Sequence, residues 1–232
     1  MAVEGFDLGG KKALVIGVES SAGQAIALAL TEAGADVATA STDEDAESVA
    51  SQIESAVQAT KARLGRIDIL VNCADLFLAK PAQEISDAEW QRVVSVNLSS
   101  VFFACRAVGP SMAQQGWGRI INVASGLGER GLPNCSAYCA AKGGVLNLTR
   151  ALAQEWAAAG VTVNAIAPAW MEDTPGLGDP DPESNRLIRY IPMRRAGRAD
   201  EIGPLAVYLA SDSAGYMTGR TLFVDGGLLA HL

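Results

Sequence analysis

The chain has 232 residues, of which 49% are hydrophobic, and a formal net charge of −8. This length is typical of one α/β domain, so we expect residues 1–232 to form a single domain. The acidic balance argues against nucleic acid and anionic membrane surfaces as partners. No uninterrupted apolar run approaches the roughly eighteen residues of a membrane span, and the acidic N-terminus lacks a signal-peptide core, so we expect a cytoplasmic protein.

The cysteines and histidine do not form a recognisable metal-binding pattern. Cys73, Cys105, Cys135 and Cys139 lack C-x-x-C spacing, and the only histidine is His231. Because a metal site needs further ligands, we predict buried, reduced thiols and no metal.

Short apolar runs alternate with helical patterns along the chain, which is typical of parallel strands joined by crossover helices. The Val, Ile and Leu content of the runs indicates strands covered on both faces. We therefore expect an α/β, Rossmann-like three-layer fold with a mainly parallel sheet. The predicted strands cover residues 13–18, 35–41, 67–73, 119–124, 161–166 and 220–224, and the predicted helices cover 21–33, 43–64, 87–113, 136–159, 183–190 and 199–210.

One long irregular stretch begins after the fifth predicted strand and is rich in Pro, Gly and Asp. A loop of this length in a compact domain is often functional. We expect it to form a lid or substrate loop around residues 167–192.

The first predicted strand leads into the turn Gly17-Val-Glu-Ser-Ser-Ala-Gly23 and then a helix. A glycine turn at this place brings backbone N–H groups and a helix N-terminus to an anion, typically a pyrophosphate. An ordinary strand-to-helix turn with two glycines is the alternative, and the loop alone does not discriminate between them.

Tyr138 and Lys142 are four residues apart in a predicted helix, and Ser125 follows the fourth predicted strand. Residues at this spacing share a helix face, so the ammonium can lie beside the phenol and lower its pKa. A nearby hydroxyl could hold a carbonyl oxygen against that phenol, which indicates proton transfer. A lone Tyr-x-x-x-Lys motif arises easily by chance, so the interpretation depends on the rest of the chain.

The whole chain resembles the short-chain dehydrogenase/reductase family, most closely its 3-oxoacyl-thioester reductases. The matching segments, in order, are the turn Gly17–Gly23, Ile69-Leu-Val-Asn-Cys-Ala74, Asn97-Leu-Ser-Ser-Val-Phe-Phe103, Gly118-Arg-Ile-Ile-Asn-Val-Ala-Ser125, Tyr138-x-x-x-Lys142, Val163-Asn-Ala-Ile-Ala-Pro168, Tyr208-Leu-Ala-Ser-Asp-Ser-Ala-Gly-Tyr-Met-Thr-Gly219 and Val224-Asp-Gly-Gly227.

The resemblance implies a catalytic set of Asn97, Ser125, Tyr138 and Lys142. Tyr138 would be the general acid or base, and Lys142 would lower its pKa and hold the nicotinamide ribose. Ser125 would position the substrate oxygen, and Asn97 would support a water relay to Lys142. The implied coenzyme-binding residues are Gly17, Ser20, Ser21, Gly23, Ser41, Asn72, Ala74, Tyr138, Lys142 and Pro168.

The coenzyme side of the pattern departs from the family. Ser21 replaces the middle glycine of the turn, although its hydroxyl could cap the helix. Asp75 and Glu19 add negative charge where a pyrophosphate would lie. The interval between Ser41 and Ile67 is short by a strand and a helix, so we expect about six strands and an adenine pocket that lacks a wall.

The end of the second strand leaves the choice of coenzyme open between NAD(H) and NADP(H). Ser41 and Thr42 resemble the NADP-preferring reductases. Asp43, Glu44 and Asp45 would repel a 2′-phosphate, and no Arg or Lys lies nearby in the sequence.

The leading hypothesis is an NAD(P)-dependent oxidoreductase that interconverts a small-molecule ketone and a secondary alcohol, similar to 3-oxoacyl reductases. Docking an acidic carrier protein is less plausible for a chain of this charge. The alternative is a binding or scaffold protein of the same fold with weakened or lost dinucleotide binding. A cofactor-free lyase or dehalogenase is a third possibility, although such relatives usually carry Arg where Lys142 stands. The resemblance also implies a homodimer or homotetramer, formed through helices 87–113 and 136–159.

Overall fold

The computed structural model describes residues 5–42, 49–174, 177 and 185–230. In these residues six parallel strands form one sheet in the order β2-β1-β3-β4-β5-β6. The strands are β1 (Lys12–Ile16), β2 (Asp36–Ala40), β3 (Ile69–Asn72), β4 (Gly118–Val123), β5 (Val161–Pro168) and β6 (Thr221–Val224). The predicted fold class and strand number are confirmed.

The helices agree with the predicted order. They are α1 (Ser21–Glu32), α2 (Val49–Leu64), α3 (Asp87–Val94), α4 (Ser100–Gln115), α5 (Ser136–Trp156), α6 (Arg186–Arg189) and α7 (Gly203–Ala210). The predicted helix 87–113 is divided by a π-helical turn, Ser95–Ser99. The first residues of the predicted helices 43–64 and 183–190 lie outside the described residues.

Two helical layers cover the sheet because side chains alternate between its faces. On β3, Leu70 packs with buried residues of α2, α4 and α5. Its neighbours Ile69 and Val71 point to the opposite face and pack with α1 and α7. Burial of apolar side chains on both faces therefore stabilises the three-layer arrangement that the apolar strands predicted.

One helical stretch of the described chain, Asp87–Gln115, is long and apolar enough to cross a membrane by length and composition alone. Half of its most apolar window is buried inside the protein, where α4 packs on the sheet. Core helices meet the same criterion, so this is weak grounds for a membrane span. Polar residues such as Asn97 and Arg106 interrupt the apolar runs of this stretch, so the sequence alone does not predict a span here.

The parallel sheet places the carboxyl ends of all its strands at one edge. The chain runs from β1 outward to β2, then returns to β3 on the other side of β1. Ligands of open parallel sheets bind at the crevice created by such a reversal of strand order. The turn after β1 and the segments after β3, β4 and β5 meet at this crevice.

Candidate active site

A cavity of about 280 Å³ opens at the carboxyl edge of the sheet. Its lining includes Glu19 and Ser20 from the turn after β1, Cys73 and Asp75 after β3, Ser125 after β4, Tyr138 on α5 and Pro168 at the end of β5. Aromatic side chains form one wall, where the Phe77 ring meets Tyr138 and Trp170 edge-on at centroid distances of 5.1 and 6.2 Å. The site is therefore a partly apolar cleft with polar groups at its floor.

Glycines 17 and 23 allow the turn after β1 to pack against its surroundings. Gly17 has φ +94°, and a Cβ there would lie 2.2 Å from the backbone nitrogen of Ala74. A Cβ at Gly23 would lie 2.2 Å from the carbonyl oxygen of Gly17. No other residue type fits either position without movement of the backbone.

Ser20 caps α1 at the end of this turn. Its hydroxyl accepts a hydrogen bond from the Gly23 backbone nitrogen at 3.1 Å and donates to the Gly17 carbonyl at 2.9 Å. Ser21, which the sequence suggested as the cap, is instead the first residue of the helix. Its backbone N–H donates to a carboxylate oxygen of Asp173 at 3.4 Å. A carboxylate thus lies at the helix N-terminus, the place predicted for a phosphate.

Glu19 points toward the end of β2. The Thr42 hydroxyl donates to its carboxylate at 2.6 Å, and the backbone nitrogen of Thr42 donates to the same oxygen at 3.4 Å. Ser41 is exposed and does not line the cavity. The acidic run 43–45 lies outside the described residues.

Helix α5 places Tyr138 and Lys142 side by side, as the spacing predicted. The ammonium of Lys142 lies 5.6 Å from the centre of the Tyr138 ring, and the Lys142 side chain is only 1% exposed. One oxygen of Asp75 lies between the two groups. It accepts a hydrogen bond from the Tyr138 hydroxyl at 2.8 Å and forms an ion pair with the Lys142 ammonium at 2.7 Å.

The pKa of Tyr138 is raised well above its usual value of about 10. Burial is the largest cause, and the charge and hydrogen bond of Asp75 add to it, because a neighbouring carboxylate disfavours phenolate. A hydrogen bond with Ser125 acts in the opposite direction. The predicted lowering of this pKa by Lys142 is therefore wrong for the observed arrangement, in which Asp75 pairs with the ammonium.

Asn97 lies in the π-helical turn and holds the segment after β3. Its side-chain oxygen accepts from the Leu76 nitrogen at 3.1 Å, and its amide donates to the carbonyls of Leu76 and Val93 at 2.9 Å each. These bonds fix the backbone immediately after Asp75. A contact between Asn97 and Lys142 is not among the hydrogen bonds of the described residues, so the water relay stays a prediction.

Asn72 faces the core rather than the cleft. Its amide donates to Asn122 at 2.8 Å, and Asn122 donates to the Thr149 hydroxyl at 2.9 Å. The carbonyl of Ala74 lies 3.5 Å from the Lys142 ammonium. Of the predicted site residues, four line the cavity: Ser20, Ser125, Tyr138 and Pro168. Lys142 lies next to the Tyr138 ring. Ser41, Asn72 and Asn97 lie outside the cavity lining.

Sequence reasoning missed the part that acidic residues play at this site. The sequence places the charge of Asp75 near a pyrophosphate, whereas in the structure Asp75 contacts Tyr138 and Lys142. Asp173 was not singled out, although the loop after β5 was noted as rich in Asp. No group of metal-binding side chains occurs among the described residues.

Comparison with known proteins assigns the family. The sequence model described as Enoyl-(Acyl carrier protein) reductase matches residues 48–229. The chain is 38% identical to D-threitol dehydrogenase from Mycolicibacterium smegmatis over 244 residues, covering 96% of this chain and 94% of the relative. The chain belongs to the short-chain dehydrogenase/reductase family. This assignment confirms the predicted enzyme class, an NAD(P)-dependent oxidoreductase.

Other members of the short-chain dehydrogenase/reductase family match as completely. The 3-oxoacyl-(acyl-carrier-protein) reductase from Haemophilus influenzae is 37% identical over 237 residues, covering 94% of this chain and 98% of that protein. The crystal structure of a gluconate 5-dehydrogenase from Burkholderia cenocepacia, in complex with NADP and tartrate, superposes with a TM-score of 0.91 at 32% identity and covers 100% of both chains. The resemblance to 3-oxoacyl reductases is confirmed, but relatives of equal similarity are named for different substrates.

The donors in the cleft fit a nicotinamide dinucleotide. The Ser21 backbone nitrogen, the Tyr138 hydroxyl and the Lys142 ammonium each bind a carboxylate oxygen in this structure. Oxygen acceptors therefore reach these donors at hydrogen-bonding distance. Ser20, Ser21 and Gly23 would hold the phosphates, and Lys142 and Tyr138 the nicotinamide ribose.

Proposed function

We propose that this protein interconverts an uncharged ketone and the corresponding secondary alcohol, with NADP(H) or NAD(H) as coenzyme. The observation that carries the proposal is the convergence of Ser125 and Tyr138 in one cleft with the buried Lys142 beside the phenol. This combination supplies a proton donor, a hydroxyl for the substrate oxygen and a fixed positive charge.

Each side chain has one task in the reaction. The coenzyme, when bound, supplies or accepts the hydride. In reduction Tyr138 donates the proton of its hydroxyl to the substrate oxygen, and the Ser125 hydroxyl holds that oxygen in place. Lys142 stabilises the phenolate that results. In the coenzyme-free protein burial and Asp75 raise the pKa of Tyr138, so the phenol there carries the proton that reduction requires.

The charge of the cleft supports an uncharged substrate. The carboxylates of Glu19, Asp75 and Asp173 line it together with apolar side chains such as Phe77 and Trp170. Among the described residues, the cavity lining contains no Lys or Arg that could pair with an anionic acyl thioester or sugar acid, whereas its carboxylates accept hydrogen bonds from hydroxyl groups. A small hydroxylated ketone therefore suits the cleft better than an acyl chain on an acidic carrier.

The remaining expectations are part of the same proposal. We take residues 1–232 as one domain of a cytoplasmic protein without nucleic-acid or membrane partners, with a lid around residues 167–192, of which 175–176 and 178–184 lie outside the described residues. Trp90 on α3 and Phe102 on α4 are each 40% exposed, which supports a homodimer or homotetramer formed through helices 87–113 and 136–159. Sedimentation equilibrium distinguishes these states from a monomer.

The carboxylates also favour a second candidate, a binding protein of this fold with weak dinucleotide affinity. Asp75 and Asp173 use the donors that a dinucleotide needs. A fluorescence and calorimetric titration with NADH and NADPH separates the candidates. Absence of binding at about millimolar coenzyme, well above the usual range of such affinities, would overturn the oxidoreductase proposal.

The assigned proton donor is tested with Tyr138→Phe in the presence of saturating coenzyme. D-threitol and acetoacetyl-CoA serve as hydroxylated and thioester probes, and coenzyme absorbance reports turnover. We expect kcat to fall about 10²- to 10⁴-fold while the variant keeps its folded circular dichroism spectrum. Tyr216→Phe is the control because Tyr216 is fully exposed, and its kcat should equal that of the wild type. Retention of most of the activity by Tyr138→Phe contradicts the assignment.

A further inference from the structure

Asp75 is the charged partner of the deeply buried Lys142 in the described chain. The Lys142 ammonium lies 2.7 Å from the Asp75 carboxylate, and its other contacts are the carbonyls of Ala74 and Val123 at 3.5 and 3.4 Å. The two side chains differ in accessibility, since Lys142 is 1% exposed and Asp75 is 35% exposed. A buried ammonium needs a counter-charge, and here it comes from a part-exposed residue of the cleft lining.

The same carboxylate oxygen also takes the hydroxyl proton of Tyr138 as its hydrogen-bond donor. Both donors of the catalytic pair are thus used by one internal acceptor. The proposed function requires Lys142 and Tyr138 to bind the ribose of the coenzyme. The Asp75 carboxylate, which already accepts from both groups, competes with the ribose for them.

We propose that Asp75 is an internal ligand of the coenzyme site, which competes with the nicotinamide ribose for Lys142 and Tyr138 and so sets coenzyme affinity. This inference rests on the proposed function. It adds a determinant of affinity at a position where the family resemblance predicted a glycine.

Contacts before and after Asp75 fix its backbone, so we expect only its side chain to move when the coenzyme binds. On one side Gly17 packs against Cys73 and Ala74, leaving no space for a Cβ. On the other side Asn97 binds both the nitrogen and the carbonyl of Leu76. Rotation of the part-exposed Asp75 side chain toward solvent would free both donors without moving the chain. Coenzyme binding must therefore break the ion pair.

The pKa of Tyr138 depends on whether the Asp75 carboxylate contacts it in the coenzyme-free protein. Asp75, Lys142, Ser125 and Cys139 are the polar or titratable groups that face the phenol from the surrounding segments. Burial and Asp75 raise the pKa of Tyr138. Removal of the carboxylate charge should bring that pKa down, because the ammonium then acts on the phenol unopposed.

The affinity test compares the wild type with Asp75→Asn, which keeps the side-chain shape, and with Asp75→Gly, which removes it. Fluorescence titration and calorimetry with NADH and NADPH give the dissociation constants. If the Asp75-bound arrangement holds nine-tenths of the molecules, both variants should bind about tenfold more tightly. Glu32→Gln is the control for net charge, because Glu32 is exposed at the end of α1 remote from the cleft, and it should bind like the wild type.

The second test needs no coenzyme. Tyrosinate absorbance during an alkaline titration follows the four tyrosines of the chain. In Asp75→Asn one tyrosine should ionise at lower pH than in the wild type. This difference should vanish when Tyr138→Phe is added to both proteins, which assigns the shifted tyrosine.

The outcomes separate the two proposals. Tighter binding by both Asp75 variants, with the shifted tyrosine, supports the inference. Equal or weaker binding by folded variants, while the wild type binds coenzyme and turns over substrate, overturns the inference alone. Absence of coenzyme binding by every protein overturns the proposed function and the inference with it.

Discussion

The half of the cleft that we propose for catalysis (the catalytic half) and the half that we propose for the nucleotide (the nucleotide half) are built differently. Tyr138 and Lys142 project from the 21-residue helix α5, which packs on the sheet, and both side chains are buried. The nucleotide half consists of the turn after β1 and the end of β2, where Glu19 is exposed and Asp173 reaches across from the loop after β5. We therefore expect the packed core to hold the proposed acid–base groups in place, whereas charged side chains of the cleft, Asp75 among them, affect coenzyme affinity.

From this difference we expect catalytic rate and coenzyme affinity to respond to different substitutions. A substitution of a charged residue at the rim alters a local charge and leaves the core packing intact, whereas the glycines of the turn after β1 are themselves closely packed. A substitution below Tyr138 disturbs buried polar groups and the stability of the fold. Variants in each half, with matched controls elsewhere, test how far this separation holds.

The largest effect is expected in the nucleotide half, from Gly17→Ala. The added Cβ meets the backbone of Ala74 at 2.2 Å, and φ is +94°. Strain and the clash together should lower the free energy of unfolding by about 2–5 kcal/mol. Gly10→Ala is the control, since Gly10 has φ +77° but no heavy atom within 4 Å of the added Cβ among the described residues. It should lose only about 1–2 kcal/mol. Urea unfolding measures both, and equal losses would contradict the close approach.

Beneath the catalytic half, Thr149→Val should leave the Asn122 amide without its acceptor. A buried unsatisfied donor lowers the free energy of unfolding by about 1–3 kcal/mol. Thr162→Val is the control, because Thr162 is buried and its hydroxyl has no hydrogen-bond partner among the described residues. The free energy of unfolding of Thr162→Val should equal that of the wild type or be slightly higher. Thermal and urea unfolding measure both variants. If Thr149→Val is as stable as the wild type, the hydrogen bond between Asn122 and Thr149 does not contribute to stability as predicted.

A smaller effect is expected for Ser20→Ala, which removes the cap of α1. The loss of stability should be about 1 kcal/mol, with weaker coenzyme binding because the same hydroxyl faces the cleft. Ser86→Ala removes the corresponding cap of α3, outside the cavity lining, and should cost similar stability without changing coenzyme affinity. Equal coenzyme affinity in both variants would argue against a part for Ser20 in the nucleotide half.

The sheet was predictable because its strands are short apolar runs with no competing signal. The six-strand count followed from the short interval before Ile67, and the Gly17–Gly23 turn followed from its glycines. The pairing of Asp75 with Lys142 was not predictable, since it depends on how two segments 67 residues apart meet across the cleft. Spacing places Tyr138 beside Lys142, but it cannot indicate which third group the ammonium prefers.

The hydrogen-bonded amides of Asn72 and Asn122 have a consequence for how the sheet assembles. The two residues are direct partners in the β3–β4 ladder, and β3 has only four residues, so apolar contacts alone specify its alignment weakly. A slip of one position would bring an amide against a hydrocarbon side chain and leave it unpaired in the interior. Misaligned pairings are thereby disfavoured, and we expect the asparagine pair to help specify the register of β3 on β4.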